Sequence, residues 1–226
     1  LRPALEDTRL AWHPAPATSA DTDILRPLAA PFDAEGGLRR LEGNLGRAVV
    51  KVSAVAPEHR MIQAPARVFE SQDAVLRAFK AGELTGDMVV VVRFQGPKAN
   101  GMPELHSLTP ILAVMQDKGL KVALVTDGRM SGASGKVLAA IHLSPEAIAG
   151  GPIARLRDGD VIRIDCEAGL LEVDVDAAEF ASRTDGFTPD PNNHAGMGRE
   201  LFGLMRRHAG SAEQGACALF TPDIAP

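Results

Sequence analysis

Met88-Val89-Val90-Val91-Val92-Arg93-Phe94 is the stretch from which the fold is read. Before Arg93 its apolar run offers no side chain to water. It therefore predicts a strand buried on both faces, with layers of structure on either side of a sheet. Val122–Val125 repeats the pattern on a smaller scale. Helix signals flank both strands. Upstream, Ser71 can cap a helix whose apolar face is Val75, Leu76 and Phe79 and which Gly82 ends. Between the two strands, Thr109-Pro110 starts a helix with proline in its first position, and Gly119 lies past its end.

Further along, Ile153–Arg157, Val161–Cys166 and Leu170–Val175 read as three short strands. Asp158-Gly159 and Glu167-Ala168-Gly169 are the turns between them. In the last strand Leu171, Val173 and Val175 alternate with Glu172 and Asp174, so one face stays wet. Ser144-Pro145-Glu146 opens a short helix before Gly150-Gly151. Helix-linked strands beside an antiparallel meander predict a mixed α/β domain over residues 36–183, a barrel-like β-sheet flanked by helices. Residues 1–35 carry Pro3, Pro14, Pro16, Pro27 and Pro31 and read as an irregular lead-in arm. Residues 184–226 read as a tail with one helix near 198–209, where Leu201, Phe202, Leu204 and Met205 share a face.

Composition narrows the function. Apolar residues make up 45% and charged residues 23%, the balance of a globular chain. Aromatic residues are only 4%, with no Tyr, so Val, Ile, Leu and Ala must fill the core. A net charge of -5 argues against sequence-blind nucleic-acid binding, which needs a basic surface. Cys166 and Cys217 are too few for a disulfide framework and form no C-x-x-C pair. No apolar run approaches the roughly 20 residues of a membrane span. The chain opens Leu1-Arg2-Pro3 without an initiator Met, which predicts a piece of a longer protein.

Two Gly-rich loops follow the two most buried strands, the usual place for ligand sites in α/β folds. The first runs from Gln95 to His106 and offers Glu104 and His106 on a Pro-bearing turn. Two such residues do not complete a metal shell, and a solvated loop acid is the plain alternative. The second runs from Thr126 to Lys136. Its small residues allow close backbone approach and an anion nest, with Arg129 and Lys136 adding positive charge. It is neither a Walker A loop nor a G-x-G-x-x-G fingerprint, and a flexible strand-to-helix connection is the competing reading. The other histidines (His13, His59, His142, His194, His208) show no ligand spacing. Cys166 lies within a strand pattern and reads as a small core residue, and Cys217 has no neighbouring base.

The loops also carry a resemblance. Gly96-Pro97-Lys98-Ala99-Asn100-Gly101-Met102-Pro103-Glu104-Leu105-His106 and the stretch from Val125 to Lys136 resemble the signatures of the dihydroxy-acid and phosphogluconate dehydratase family. Ser144–Ala147, Gly150–Ala154 and Asp158–Ile162 follow in the family's order. Met130, where branched-chain members commonly have Phe, and Lys98–Gly101 are similar to the phosphogluconate branch. Glu42–Gly46 and Val52–His59 share that likeness, and the family match reappears at Gly198–Phe202.

The resemblance covers only the C-terminal part of such enzymes. It implies a hydro-lyase that dehydrates 6-phosphogluconate to 2-keto-3-deoxy-6-phosphogluconate; a branched-chain dihydroxy acid or another sugar acid is the alternative substrate. It implies an iron–sulfur cluster of the 4Fe-4S type, ligated outside this chain, and Mg2+ or Mn2+ with Glu104 as a ligand. Ser131 matches the serine proposed as the base. Arg129, Gly132, Ser134, Lys136 and Asn100 become candidate substrate contacts. The implied partners are the N-terminal domain of the same polypeptide, a small phosphorylated sugar acid and a second copy in a homodimer. Nucleic acid and membrane are not among them, and the implied location is cytoplasmic. Alone, the chain is expected to be an inert half-site.

Overall fold

The computed structural model describes residues 2–34, 36–130, 135–186 and 196–219. The chain forms two compact units, residues 1–37 and 38–226. In the first, β1 (Arg2–Glu6) and β2 (Arg9–His13) pair antiparallel, with Arg2 opposite His13. Asp7 and Thr8 turn between them at positive φ. Part of the stretch that reads as an irregular arm is therefore a regular hairpin. Alternation in these strands is weak because both faces are largely exposed, which leaves no apolar period to read.

The second unit is built on a closed eight-stranded barrel in the order β10-β3-β4-β8-β7-β6-β5-β9. Its strands are β3 (Leu38–Gly43), β4 (Gly46–Lys51), β5 (Met61–Phe69), β6 (Met88–Val92), β7 (Val122–Thr126), β8 (Leu138–Ser144), β9 (Val161–Asp165) and β10 (Leu170–Val173). β5, β6, β7 and β8 are successively parallel. β3 pairs antiparallel with β4, β4 with β8, β5 with β9 and β9 with β10, and a parallel β10–β3 contact closes the circle.

The valine run of β6 shows why both faces had to be apolar. Val89 and Val91 join the barrel interior, to which every strand contributes, for example Leu41, Val50, Ile62, Val125, Ala140, Ile164 and Leu171. Met88, Val90 and Val92 point the other way. They pack under α1 (Gln72–Lys80) and α2 (Leu108–Asp117) through Val75, Leu112 and Met115. Alanines 48, 64, 66, 123 and 140 line the interior, so a ring-poor composition fills a narrow barrel. Ser71 caps α1, its Oγ accepting from the Ala74 N–H at 3.2 Å.

Two readings need correction. Ile153–Arg157 is not a strand: Pro152–Arg155 forms a 3-10 turn. Proline fixes φ and lacks the N–H a ladder requires, while Ile153 and Ala154 are buried with the barrel core. Asp158-Gly159 then leads into β9 instead of joining two strands. The tail helix is two short ones, α4 (Met197–Leu201) and α5 (Gly203–His208), after α3 (Ala177–Ser182).

Candidate functional site

All four parallel strands end on one rim of the barrel, and the loops leaving them meet there. Asp127, directly after β7, ties three of them together. Its carboxylate accepts the N–H of Phe94 at 3.2 Å, of Gln95 at 2.9 Å and of Ala147 at 2.9 Å. These bonds favour the charged form, but complete burial outweighs them and pushes the carboxyl up to about 6. Phe94, at φ 61, is held in a left-handed conformation beside this anchor.

Glu146, after β8, plays the same part for the first Gly-rich loop. It accepts the N–H of Lys98 at 3.1 Å and of Ala99 at 3.2 Å, and burial raises its carboxyl above the usual range. A Cβ on Gly96 would lie 2.2 Å from Glu146 Oε2, so only glycine lets the loop close on this carboxylate. The Gly96 carbonyl in turn accepts from the N–H groups of Asn100 and Gly101. Asn100 Nδ2 donates to Gln95 Oε1 at 2.9 Å, and Gln95 Nε2 donates to the Glu70 carbonyl at 2.7 Å at the end of β5. Asn100 Oδ1 accepts from Arg199 Nη1 at 2.6 Å. Asn100 thus clips the loop to the tail.

The two Gly-rich loops touch through Glu104 and Arg129. Their backbones form a short parallel bridge, with the Leu105 N–H donating to the Arg129 carbonyl at 3.2 Å. Their side chains form an ion pair at 2.9 Å, and Arg129 Nε donates to the Met102 carbonyl at 2.8 Å. Lys136 is placed differently: its Nζ pairs with Asp117 at the end of α2, and both side chains are exposed. Ser131, Gly132 and Ser134 lie outside the described residues. On their near flank, Thr109 Oγ1 donates to Met130 Sδ at 2.8 Å.

Three residues here had no distinct signal in the sequence. Asp127 and Glu146 matter through burial, which only the tertiary fold creates. The one available hint was an acidic residue at the end of a buried strand. His142 sits at φ 57 with its N–H donating to the Gly128 carbonyl at 2.9 Å. Burial and the neighbouring Arg129 lower the affinity of its imidazole for a proton.

Donor chemistry limits what these residues can hold. Among the described residues no three His, Cys, Asp or Glu gather as a metal site. Glu104 is a hard oxygen donor on the rim, suited to supply one ligand of a divalent cation but not a shell. The cysteines do not fit an iron–sulfur cluster, whose ligands are thiolates. Cys166 is buried in the barrel core, and burial pushes its thiol up to about 11. Cys217 is a free, partly exposed thiol in the tail whose Sγ accepts the N–H of Leu219 at 3.4 Å.

The family described as "Dihydroxy-acid/6-phosphogluconate dehydratase C-terminal" matches residues 23–216. The phosphogluconate dehydratase of Pseudomonas aeruginosa is 64% identical over 222 residues, taking in 98% of this chain and 36% of that protein. That of Escherichia coli K12 is 51% identical over 219 residues, 97% of this chain and again 36% of the relative. The dihydroxy-acid dehydratase of Nitratidesulfovibrio vulgaris is 45% identical over 172 residues, 75% of this chain and 31% of its own length. The chain therefore spans about a third of the length of these relatives.

Proposed function

This chain belongs to the dihydroxy-acid/6-phosphogluconate dehydratase C-terminal family, and from that premise we propose that it forms one wall of the active site of a phosphogluconate dehydratase. The observation that carries the substrate is the 64% identity, across 98% of the chain, to a protein of that name. The remaining wall is an N-terminal domain of the same parent polypeptide, consistent with relatives nearly three times as long. The parent is proposed to be a cytoplasmic homodimer. In support of a location outside the membrane, no helix among the described residues is long and apolar enough to cross one.

The reaction takes a proton from C2 of 6-phosphogluconate and hydroxide from C3. The resulting enol then ketonises to 2-keto-3-deoxy-6-phosphogluconate. A proton beside a carboxylate is weakly acidic, so charge developing on the neighbouring oxygens needs cationic partners. Ser131 is assigned the base that receives the C2 proton at Oγ. An ordinary Ser hydroxyl is far too weak for this near neutral pH, so its activation must come from groups contributed by the parent's other domain. Mg2+ or Mn2+, when bound, would stabilise charge on the substrate's oxygens, with Glu104 as a ligand from this chain. Arg129, paired with Glu104, both orients that carboxylate and offers a guanidinium to the substrate's carboxylate. The cysteines of this chain fit no cluster.

Turnover of the parent polypeptide on two substrates tests the reading. Keto acid should form from 6-phosphogluconate with kcat/KM about 100-fold or more above that for a branched-chain dihydroxy acid. The reverse preference overturns the substrate assignment. Ser131→Ala should cut kcat by about 1,000-fold or more with folding intact. A near-normal rate removes Ser131 from the mechanism.

A further inference from the structure

We infer that Arg199 and Arg206 form a subsite for a phosphoryl group, in the groove between the 97–102 loop and the helices α4 and α5. The inference rests on the reading above in one respect: the phosphoryl group belongs to the substrate.

The two guanidiniums are arranged as cations awaiting an anion. Arg199 spends Nη1 on Asn100, while its Nε is buried with no partner. Arg206 Nη2 donates to the Arg199 carbonyl at 2.7 Å, which brings the second guanidinium against the first helix. Partial burial and the nearby charge of Arg206 weaken the hold of Arg199 on its proton, a sign of two like charges held close together. Among the described residues neither arginine has a carboxylate within ion-pair distance. Elsewhere on the second unit Arg47, Arg129 and Arg183 each have one, Glu213, Glu104 and Asp160 respectively. A buried N–H left without an acceptor, on a cation beside another cation, is unfavourable unless an anion joins them. A phosphoryl group, with three acceptor oxygens, suits a pair of forked donors better than a carboxylate does.

Position supports the same ligand. The groove has a volume of about 530 Å³ and includes Asn100, Gly101 and Met102 as well as both arginines. That is within the usual range of small-molecule sites. A Cβ on Gly101 would lie 3.9 Å from Arg206 Cγ, so the Arg206 stem lies over the loop. Met102 is also the residue whose carbonyl holds Arg129. The same loop therefore meets Arg199 and Arg206 at Asn100 and Gly101, and Arg129 at Met102 and Glu104. A substrate charged at both ends, carboxylate and phosphate, finds cations for each.

The test uses the parent polypeptide and three ligands: 6-phosphogluconate, gluconate and inorganic phosphate. Arg199→Gln and Arg206→Gln should each raise KM for 6-phosphogluconate about 10- to 100-fold, the loss expected for a charge-assisted hydrogen bond, with kcat changed much less. The inhibition constant of gluconate, which lacks the phosphate, should stay within about twofold of the parent's. Arg199→Lys, which keeps the charge but not the fork, should fall between the two. An unchanged KM, or equal losses for 6-phosphogluconate and gluconate, overturns the subsite. If Arg199→Gln does not fold, Arg206→Gln carries the test. If the unsubstituted enzyme does not dehydrate 6-phosphogluconate, the functional reading fails separately. Protection against heat unfolding by inorganic phosphate, weakened in both Gln variants, then still supports the subsite, and its absence refutes it.

Discussion

The two halves of the barrel are made of the same residue types and do different work. In the antiparallel half, β3–β4 and β9–β10 are joined by short hairpins whose polar groups are satisfied within that half. Asn44 in the first hairpin donates to the Val173 carbonyl and accepts from the Val173 N–H, both at 2.8 Å. Asp165 at the second accepts the N–H of Glu167 and of Ala168. The parallel half cannot use hairpins, because each strand must restart at the same end. Its returns run through α1, α2 and the long loops. The buried polar residues Arg93, Gln95, Thr109, Gln116, Thr126, Asp127, Ser144 and Glu146 all fall in this half or its connections. Parallel topology thus gathers loops on one rim, and burying polar groups there creates a rigid frame for a site.

The sharpest way to break that contrast is to remove its anchor. Asp127→Ala would leave three buried N–H groups without an acceptor. Unfolding free energy should drop by about 3–5 kcal/mol in chemical denaturation. A loss below about 1 kcal/mol would mean the rim does not depend on this carboxylate. Its titration gives a second reading of the same residue. Asp127 has a folded pKa of about 6, above the roughly 3.9 of an unfolded aspartate. The folded state therefore holds the extra proton between these values. This contribution to stability is full below about pH 4 and is lost as pH rises through about 6, a change of about 2–3 kcal/mol. Glu146, also raised by burial, acts in the same direction. Unfolding midpoints measured from pH 4 to 8 should decline more steeply for the unsubstituted chain than for Asp127→Asn. Parallel curves would refute the raised pKa.

What could be read in advance follows the same division. β6 and β7 were legible because burial on both faces leaves an uninterrupted apolar run, a property of sequence alone. The helix α1 was legible from Ser71 because capping is local; α2 was legible as a helix, but it starts at Leu108, which puts Pro110 third and not first, a place the first turn tolerates because its N–H groups have no partner within the helix. Ile153–Arg157 misled because three apolar residues in five, Ile153, Ala154 and Leu156, suit a buried turn as well as a strand. Glu104 and Arg129 were found through motifs, but that they pair with each other depends on two loops meeting after separate strands. Asp127, Glu146 and the Arg199–Asn100 clip depend on burial and long-range packing, which no local pattern encodes.

The antiparallel half supplies the next comparison. Asn44→Ala would strip one donor and one acceptor from the β10 backbone at Val173. It should cost about 1–2 kcal/mol of stability and leave the parent's turnover within about twofold, since both of these bonds run to the β10 backbone and not to the Gly-rich loops. A turnover loss as large as its stability loss would show that the two halves are not separable.

The smallest effect is expected at Lys136, and it sharpens the contrast within the rim itself. Lys136 and Arg129 lie in the same Gly-rich loop and were matched as candidate substrate contacts, yet the fold gives them different neighbours. Arg129 joins the first loop through Glu104 and Met102, whereas Lys136 turns to Asp117 on α2 with both side chains exposed. An exposed pair gains little because water screens it and two long side chains must be ordered, so Lys136→Ala should change stability by less than about 1 kcal/mol. If steadying α2 is its whole role, KM for 6-phosphogluconate should move by less than about twofold, against 10-fold or more for Arg129→Ala. A KM rise for Lys136→Ala matching that of Arg129→Ala would require Lys136 to leave Asp117 when substrate arrives, and both cations would then belong to the site.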